Sequence, residues 1–125
     1  VLVHLDTDFL VYALSSAGPE RRKLEALVSS DAQIEISAVA WYEFSRGPRT
    51  AEQLAVARAL FGTEGIVPFS EGLADAAAEI FRALGSPRKR AADIAIGVTA
   101  ALTGAVLLTR NAKDFSGVPD LQFEV

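Results

Sequence analysis

Several acidic residues of this chain stand where a carboxylate is costly. Asp6 directly follows the apolar run Val1 to Leu5, and Glu43 lies within the aromatic segment Ala40-Trp41-Tyr42-Glu43-Phe44. Asp93 is the only charge between Arg90 and Arg110, set among Ala91, Ala92, Ile94, Ala95 and Ile96. A last group, Thr109-Arg110-Asn111-Ala112-Lys113-Asp114-Phe115, brings a Thr, an Asn and an Asp after another apolar run. A buried carboxylate is expensive unless it is paired or bound to metal. Acids on separate elements, without a basic neighbour in the same apolar segment, point to a shared cation. The chain has no Cys and one His, so the donors are oxygens, which select a hard ion such as Mg²⁺ or Mn²⁺.

Each residue also has a plainer reading. Asp6 and Asp8 can cap a helix or favour its dipole. A helical Glu43 beside aromatics can point to water, and Asp93 can face solvent two turns into its helix. Arg88-Lys89-Arg90 reads as a solvated face or as a nucleic-acid contact. His4, with no ligand-spaced companion, reads as a satisfied strand residue. The arrangement carries more than any member of it.

The elements that must position these residues alternate. Val1 to Leu5 reads as a buried central strand, and Thr7 or Asp8 as the cap of a helix over Phe9 to Leu14. Gly18-Pro19 opens a helix over Glu20 to Val28 with Leu24, Leu27 and Val28 as its stripe. Gln33 to Ser37 is a second strand, followed by a helix from Ala38 to Gly47-Pro48. Thr50 to Phe61 is amphipathic, Ile66 to Phe69 a short strand, and Ser70 to Leu84 a helix. Ser86 as cap and Pro87 as first residue begin a helix to about Thr103, which Gly104 ends. Ala105 to Thr109 and Leu121 to Val125 complete the strands, the last at an edge. Such alternation predicts one α/β domain over residues 1–125, an open, mainly parallel sheet with helices on both faces. Working residues of such folds collect at the carboxyl ends of the strands, where strand order reverses.

At 125 residues, half of them hydrophobic, the chain fits one domain with a proper core. The absence of Cys excludes a disulfide scaffold, a thiolate metal site and a Cys nucleophile. No uncharged apolar run reaches about 18 residues, so no membrane span is expected. The first residues lack the pattern of a secretory signal, and a cytoplasmic location is the expectation.

The residues quoted above resemble the PIN-domain ribonucleases, and among them the VapC toxins of type II toxin–antitoxin systems. The motifs are Leu5-Asp6-Thr7-Asp8-Phe9-Leu10, Ser37-Ala38-Val39-Ala40-Trp41-Tyr42-Glu43, Arg90-Ala91-Ala92-Asp93-Ile94-Ala95-Ile96-Gly97, and Leu107-Leu108-Thr109-Arg110-Asn111-Ala112-Lys113-Asp114-Phe115. They occur in family order across nearly the whole chain. The resemblance implies a three-layer α/β/α fold and a metal-dependent endoribonuclease acting on single-stranded RNA. It implies Mg²⁺, with Mn²⁺ as substitute, on the triad Asp6, Glu43 and Asp93. The family's fourth position, an acid or Asn, falls on Asn111, which leaves the second metal open. Asp114 either supplies a carboxylate through water or supports its loop. Thr109 matches a site-lining hydroxyl, while Thr7 and Asp8 support the strand-to-helix turn. Arg88, Lys89, Arg90 and Arg110 are the RNA-contact candidates. A cognate antitoxin and a homodimer follow from the same resemblance, with the helices Glu20 to Val28 and Thr50 to Phe61 as candidate antitoxin surfaces.

Rival readings fit less well. A haloacid-dehalogenase-type phosphatase wants Thr or Val where Leu10 stands, and a downstream Lys with paired late acids. A receiver domain needs a phospho-accepting Asp after its third strand and a Lys after its fifth. A silent binding module on the same scaffold has no reason to keep Asp93 in its apolar setting. The net charge of −4 argues against non-specific nucleic-acid binding, yet one bound divalent ion brings it to −2. Charge distribution is the more telling quantity.

Overall fold

In the computed structural model, residues 1–124 are described and strands and helices alternate as the apolar periodicity requires. The strands are β1 (Leu2–Leu5), β2 (Gln33–Ser37), β3 (Ile66–Val67), β4 (Val106–Leu108) and β5 (Gln122–Glu124). The helices are α1 (Thr7–Ser15), α2 (Pro19–Val28), α3 (Ala38–Arg46), α4 (Ala51–Phe61), α5 (Glu71–Ala83) and α6 (Ala91–Thr103). The five strands form one sheet in the order β3-β2-β1-β4-β5, every pair parallel. β1 is therefore central, and β5 is an edge. Val125, expected to end the last strand, lies outside the described residues.

Apolar side chains from both faces of the sheet fill the interior. Val3, Leu5, Ile36, Leu107 and Leu108 pack with Phe9 and Leu10 of α1, Phe44 of α3 and Phe61 of α4. Helices α1, α2 and α4 pack as one layer. On the other side, Ala77 of α5 packs with Ile94, Ala95 and Val98 of α6 and with Val118. That distribution gives the three-layer α/β/α arrangement. Among the described residues, no helix is long and apolar enough to cross a membrane.

Local chemistry moves several boundaries. The cap of α1 is Asp6 rather than Thr7 or Asp8: its Oδ1 accepts from the Thr7 N–H at 2.8 Å, and the helix begins at Thr7, not Phe9. β3 stops at Val67, short of Phe69, because Pro68 offers no N–H to a ladder. The helix expected from Pro87 begins only at Ala91, after a 3-10 turn over Arg88–Arg90. Ser86 cannot cap it, because its backbone finishes α5 instead. The Gly85 N–H donates to Arg82 O and the Ser86 N–H to Phe81 O, both at 3.0 Å, a Schellman closure with φ of 89° and 57° at the two residues. Asp93 consequently stands in the first turn of α6, not two turns in.

Candidate metal centre

Sheet order places the site. From β1 the chain adds β2 and then β3 on one side, then crosses to β4 on the other, so the reversal falls between β1 and β4. In open parallel sheets a crevice forms at that point, beyond the carboxyl ends of the strands. Asp6 leaves β1 there and Thr109 leaves β4. The Asp6 N–H donates to Leu108 O at 2.9 Å, and the Thr109 hydroxyl donates to Asp6 Oδ2, also at 2.9 Å. With the Thr7 N–H on its other oxygen, the Asp6 carboxylate is held at both ends and almost fully buried.

Beyond this anchor opens a polar cleft of about 320 Å³. Its walls carry Asp6, Thr7 and Asp8 from the β1–α1 turn, Glu43 from α3, Asp93 from α6, and Asn111 and Asp114 from the segment after β4. All five predicted acidic or amide positions, remote in sequence, therefore share one cavity. The Thr7 hydroxyl donates to Glu43 Oε1 at 2.8 Å, which turns Glu43 inward and away from the solvated alternative. Asn111 Nδ2 donates to Asp8 Oδ2 at 3.3 Å, tying the β4 exit to α1, while the Asn111 N–H donates to Thr109 Oγ1 at 3.0 Å. No hydrogen bond holds the Asp93 carboxylate among the described residues.

Electrostatics marks two of these acids. Burial pushes the Asp6 carboxyl up to about 6, against the pull of the Thr109 hydroxyl and the Thr7 N–H, with Asp8 and Glu43 adding repulsion. Burial also pushes Asp93 up to about 6, reinforced by the charges of Asp6, Asp114, Glu43 and Asp8. Such crowding is what a cation relieves. The donor set is wholly oxygen, which fits a hard divalent ion. Among the described residues, no three carboxylates already close on one point as a ready-made cage. A hard ion that keeps several waters and shares ligands with a phosphate suits that open spacing.

The predicted basic residues separate. Arg88 and Lys89 are exposed on the 3-10 turn. Arg90 instead faces the loop: its guanidinium donates to Asp114 O from Nε at 3.3 Å and from Nη2 at 3.2 Å, and Nη2 also reaches Ser116 O. Arg110 lies over the Tyr12 ring at 3.5 Å from its centroid, with Nε 3.6 Å from Glu20, and does not line the cleft. His4 is a buried strand residue, its Nε2 2.9 Å from Glu35 Oε1. Two residues that the motifs did not flag, Arg46 and Arg49, do line the cleft. For Arg46 the signal was available in the spacing, since it follows Glu43 by three residues and shares its helix face, whereas Arg49 lies past the helix end and had none.

The model of the PIN domain family matches residues 3–121 of this chain. This chain belongs to the PIN domain family. Solved structures similar to this PIN domain come from toxin–antitoxin assemblies. A chain of VapBC2 from Rickettsia felis bound to a promoter DNA fragment is 22% identical, with a TM-score of 0.73 over 99% of this chain and 98% of that one. A toxin–antitoxin complex from Klebsiella pneumoniae gives 28% identity and a TM-score of 0.71 over 95% and 94%. VapBC-1 from nontypeable Haemophilus influenzae gives 24% and 0.69 over 99% and 97%. No curated protein matches the chain. The PIN fold expected from the four motifs is the fold observed.

Proposed function

We propose that this PIN domain is the toxin of a toxin–antitoxin pair, a Mg²⁺- or Mn²⁺-dependent endoribonuclease that hydrolyses phosphodiester bonds in single-stranded RNA in the cytoplasm. The observation that carries the reading is the convergence of Asp6, Glu43 and Asp93, from three separate elements, on one cleft at the sheet's switch point. In this reading those three carboxylates hold the ion, and Asn111 and Asp114 complete the rim. A bound divalent ion supplies charge neutralisation at the phosphoryl oxygens and makes a water easier to deprotonate. Asp6 is pre-set by its two hydrogen bonds, so little orientation is lost on binding. Glu43, oriented by the Thr7 hydroxyl, or Asp114 takes the proton of the attacking water. Arg90 holds the backbone at Asp114 in place.

The antitoxin partner has a matching surface. A groove of about 590 Å³ runs between α1, α2 and α4, lined by Ala13, Leu14, Leu24, Val28, Val56 and Leu60 with Arg21, Glu25 and Ser29 among them. It lies on the two helices whose stripes the sequence singled out. Val28 and Val56 remain 57% and 47% exposed there, a cost that a covering peptide removes. The homodimer implied by the resemblance is read from sedimentation of the isolated chain.

The deciding experiment incubates the chain with unstructured RNA and Mg²⁺. Cleavage that EDTA and Asp93→Asn each abolish supports the reading. Intact RNA in the presence of bound Mg²⁺ overturns it in favour of a silent binding module.

A further inference from the structure

The acid cleft carries a basic wall that the metal does not need. Arg46 and Arg49 line it together with the carboxylates, on the turn Arg46-Gly47-Pro48-Arg49 that ends α3. Arginines placed only to neutralise an acid cluster would pair with it. Here the single ion pair is Arg46 Nη2 to Glu43 Oε2 at 4.0 Å, and Arg49 makes none among the described residues. Both guanidiniums lie over aromatic rings. Arg46 lies 5.2 Å from the Tyr42 ring centroid and Arg49 4.9 Å from that of buried Phe44.

The turn is built around Arg49. The Arg49 N–H donates to Gly47 O at 2.8 Å, closing the turn across Pro48. A Cβ on Gly47 would stand 3.0 Å from Arg49 Nη2 and 3.2 Å from its Cζ, so the absent side chain makes room for the guanidinium. Gly47 has φ −77° and ψ 178°, a conformation open to any residue. Space, rather than backbone freedom, is what this glycine provides. The buried Arg49 Nε has no partner among the described residues. Arg49 Nη1 donates to Pro48 O at 3.5 Å.

We propose that Arg46 and Arg49 hold a backbone phosphate of the RNA substrate at the mouth of the acid cleft. This rests on the nuclease reading and assigns its anion-holding wall. Carboxylates on one side hold a cation and guanidiniums on the other hold an anion, which together suit a phosphodiester shared between them. The arrangement also suits an acidic chain to an acidic polymer, since two guanidiniums stand in the same cleft as the carboxylates that would hold the ion.

The test measures anisotropy of a labelled, unstructured single-stranded RNA on the full chain with Ca²⁺ in place of Mg²⁺, so that binding is read without turnover. Adding Arg49→Gln or Arg46→Gln should weaken RNA about tenfold each, the loss of one charge-assisted contact. Each should also flatten the slope of log affinity against log salt by about 0.7. Mg²⁺ affinity without RNA should stay equal or rise. Gly47→Ala should weaken RNA while sparing Mg²⁺, because its Cβ displaces only the guanidinium. Arg82→Gln, exposed on α5 outside the cleft, is the control for general charge loss. Arg46, with its side chain 59% exposed, carries the test should Arg49→Gln fail to fold by thermal melting. RNA bound with unchanged affinity and salt slope in the Arg46→Gln chain overturns the proposal and leaves the nuclease reading standing. A parent chain that binds Mg²⁺ but no RNA overturns both.

Discussion

Asp6 and Asp93 are both held near 6, yet their surroundings assign them different burdens. Asp6 accepts from the Thr7 N–H and the Thr109 hydroxyl, so Asp6→Asn forfeits one of two buried acceptor contacts along with the charge. Asp93 has no such contacts, and its ionised form is disfavoured by burial and by four neighbouring carboxylates. Asp93→Asn should therefore abolish cleavage and yet stabilise the metal-free fold at pH 7. The gain is about 1 kcal/mol after allowing for water screening of a half-buried group. Chemical denaturation in EDTA checks it, and an unchanged or lowered midpoint would show that the repulsion is already relaxed. Asp93 was legible in the sequence because it interrupts an apolar run. Asp6 was legible as a strand-end acid, and capping was its plainer alternative; the structure joins the cap to the cleft position, where Thr7 or Asp8 had been expected at the helix start. Cap choice is decided by which residue the strand delivers to the helix start, and composition does not record that.

At the scale of elements, the alternation of apolar runs and amphipathic stretches made the parallel sheet readable, because fully buried strands and two-faced helices differ in period. The start of α6 was not readable. Ser86-Pro87 carries the marks of a helix beginning, but Gly85 and Ser86 are consumed in closing α5. Tertiary contacts likewise decide what Arg90 does. It was named with Arg88 and Lys89 as an RNA contact, and its guanidinium is bonded to the segment that carries Asp114. Arg90→Gln should thus lower thermal stability and Mg²⁺ affinity together, whereas Arg88→Gln should change neither. Equal behaviour of the two in calorimetry would return Arg90 to the surface. The same segment leans on α6 at Gly97, where a Cβ would meet Phe115 Cδ1 at 3.2 Å, Val118 Cγ2 at 3.3 Å and Leu121 Cδ2 at 3.4 Å. Gly97→Val overfills that contact and should cost about 1–3 kcal/mol. Cleavage should fall by more than the unfolded fraction explains, because the displaced segment also bears Asn111 and Asp114. Activity that simply tracks the folded fraction would separate packing from positioning.

For the whole molecule, the net charge of −4 is less informative than where the acids converge, and that convergence links ion binding to folding. Asp6 and Asp93 have folded-state values of about 6 against an ordinary 3.8, so the folded chain binds protons more readily than the unfolded one between those limits. Without metal, the contribution of these two groups to stability is therefore greatest below about pH 4 and declines as pH rises through about 6. A divalent ion competes with the same protons. Its affinity should be full above pH 7 and fall as pH drops through about 6, where both carboxyls begin to protonate. At an ion concentration about 100 times its dissociation constant, stabilisation amounts to about 2.7 kcal/mol. Melting curves with and without Mg²⁺ should accordingly separate at pH 7.5 and nearly coincide at pH 5. Asp93→Asn should close the gap at pH 7.5, since one of the three carboxylates assigned to the ion is gone. A Mg²⁺-induced shift of equal size at pH 5 and pH 7.5 would place the ion away from these carboxylates.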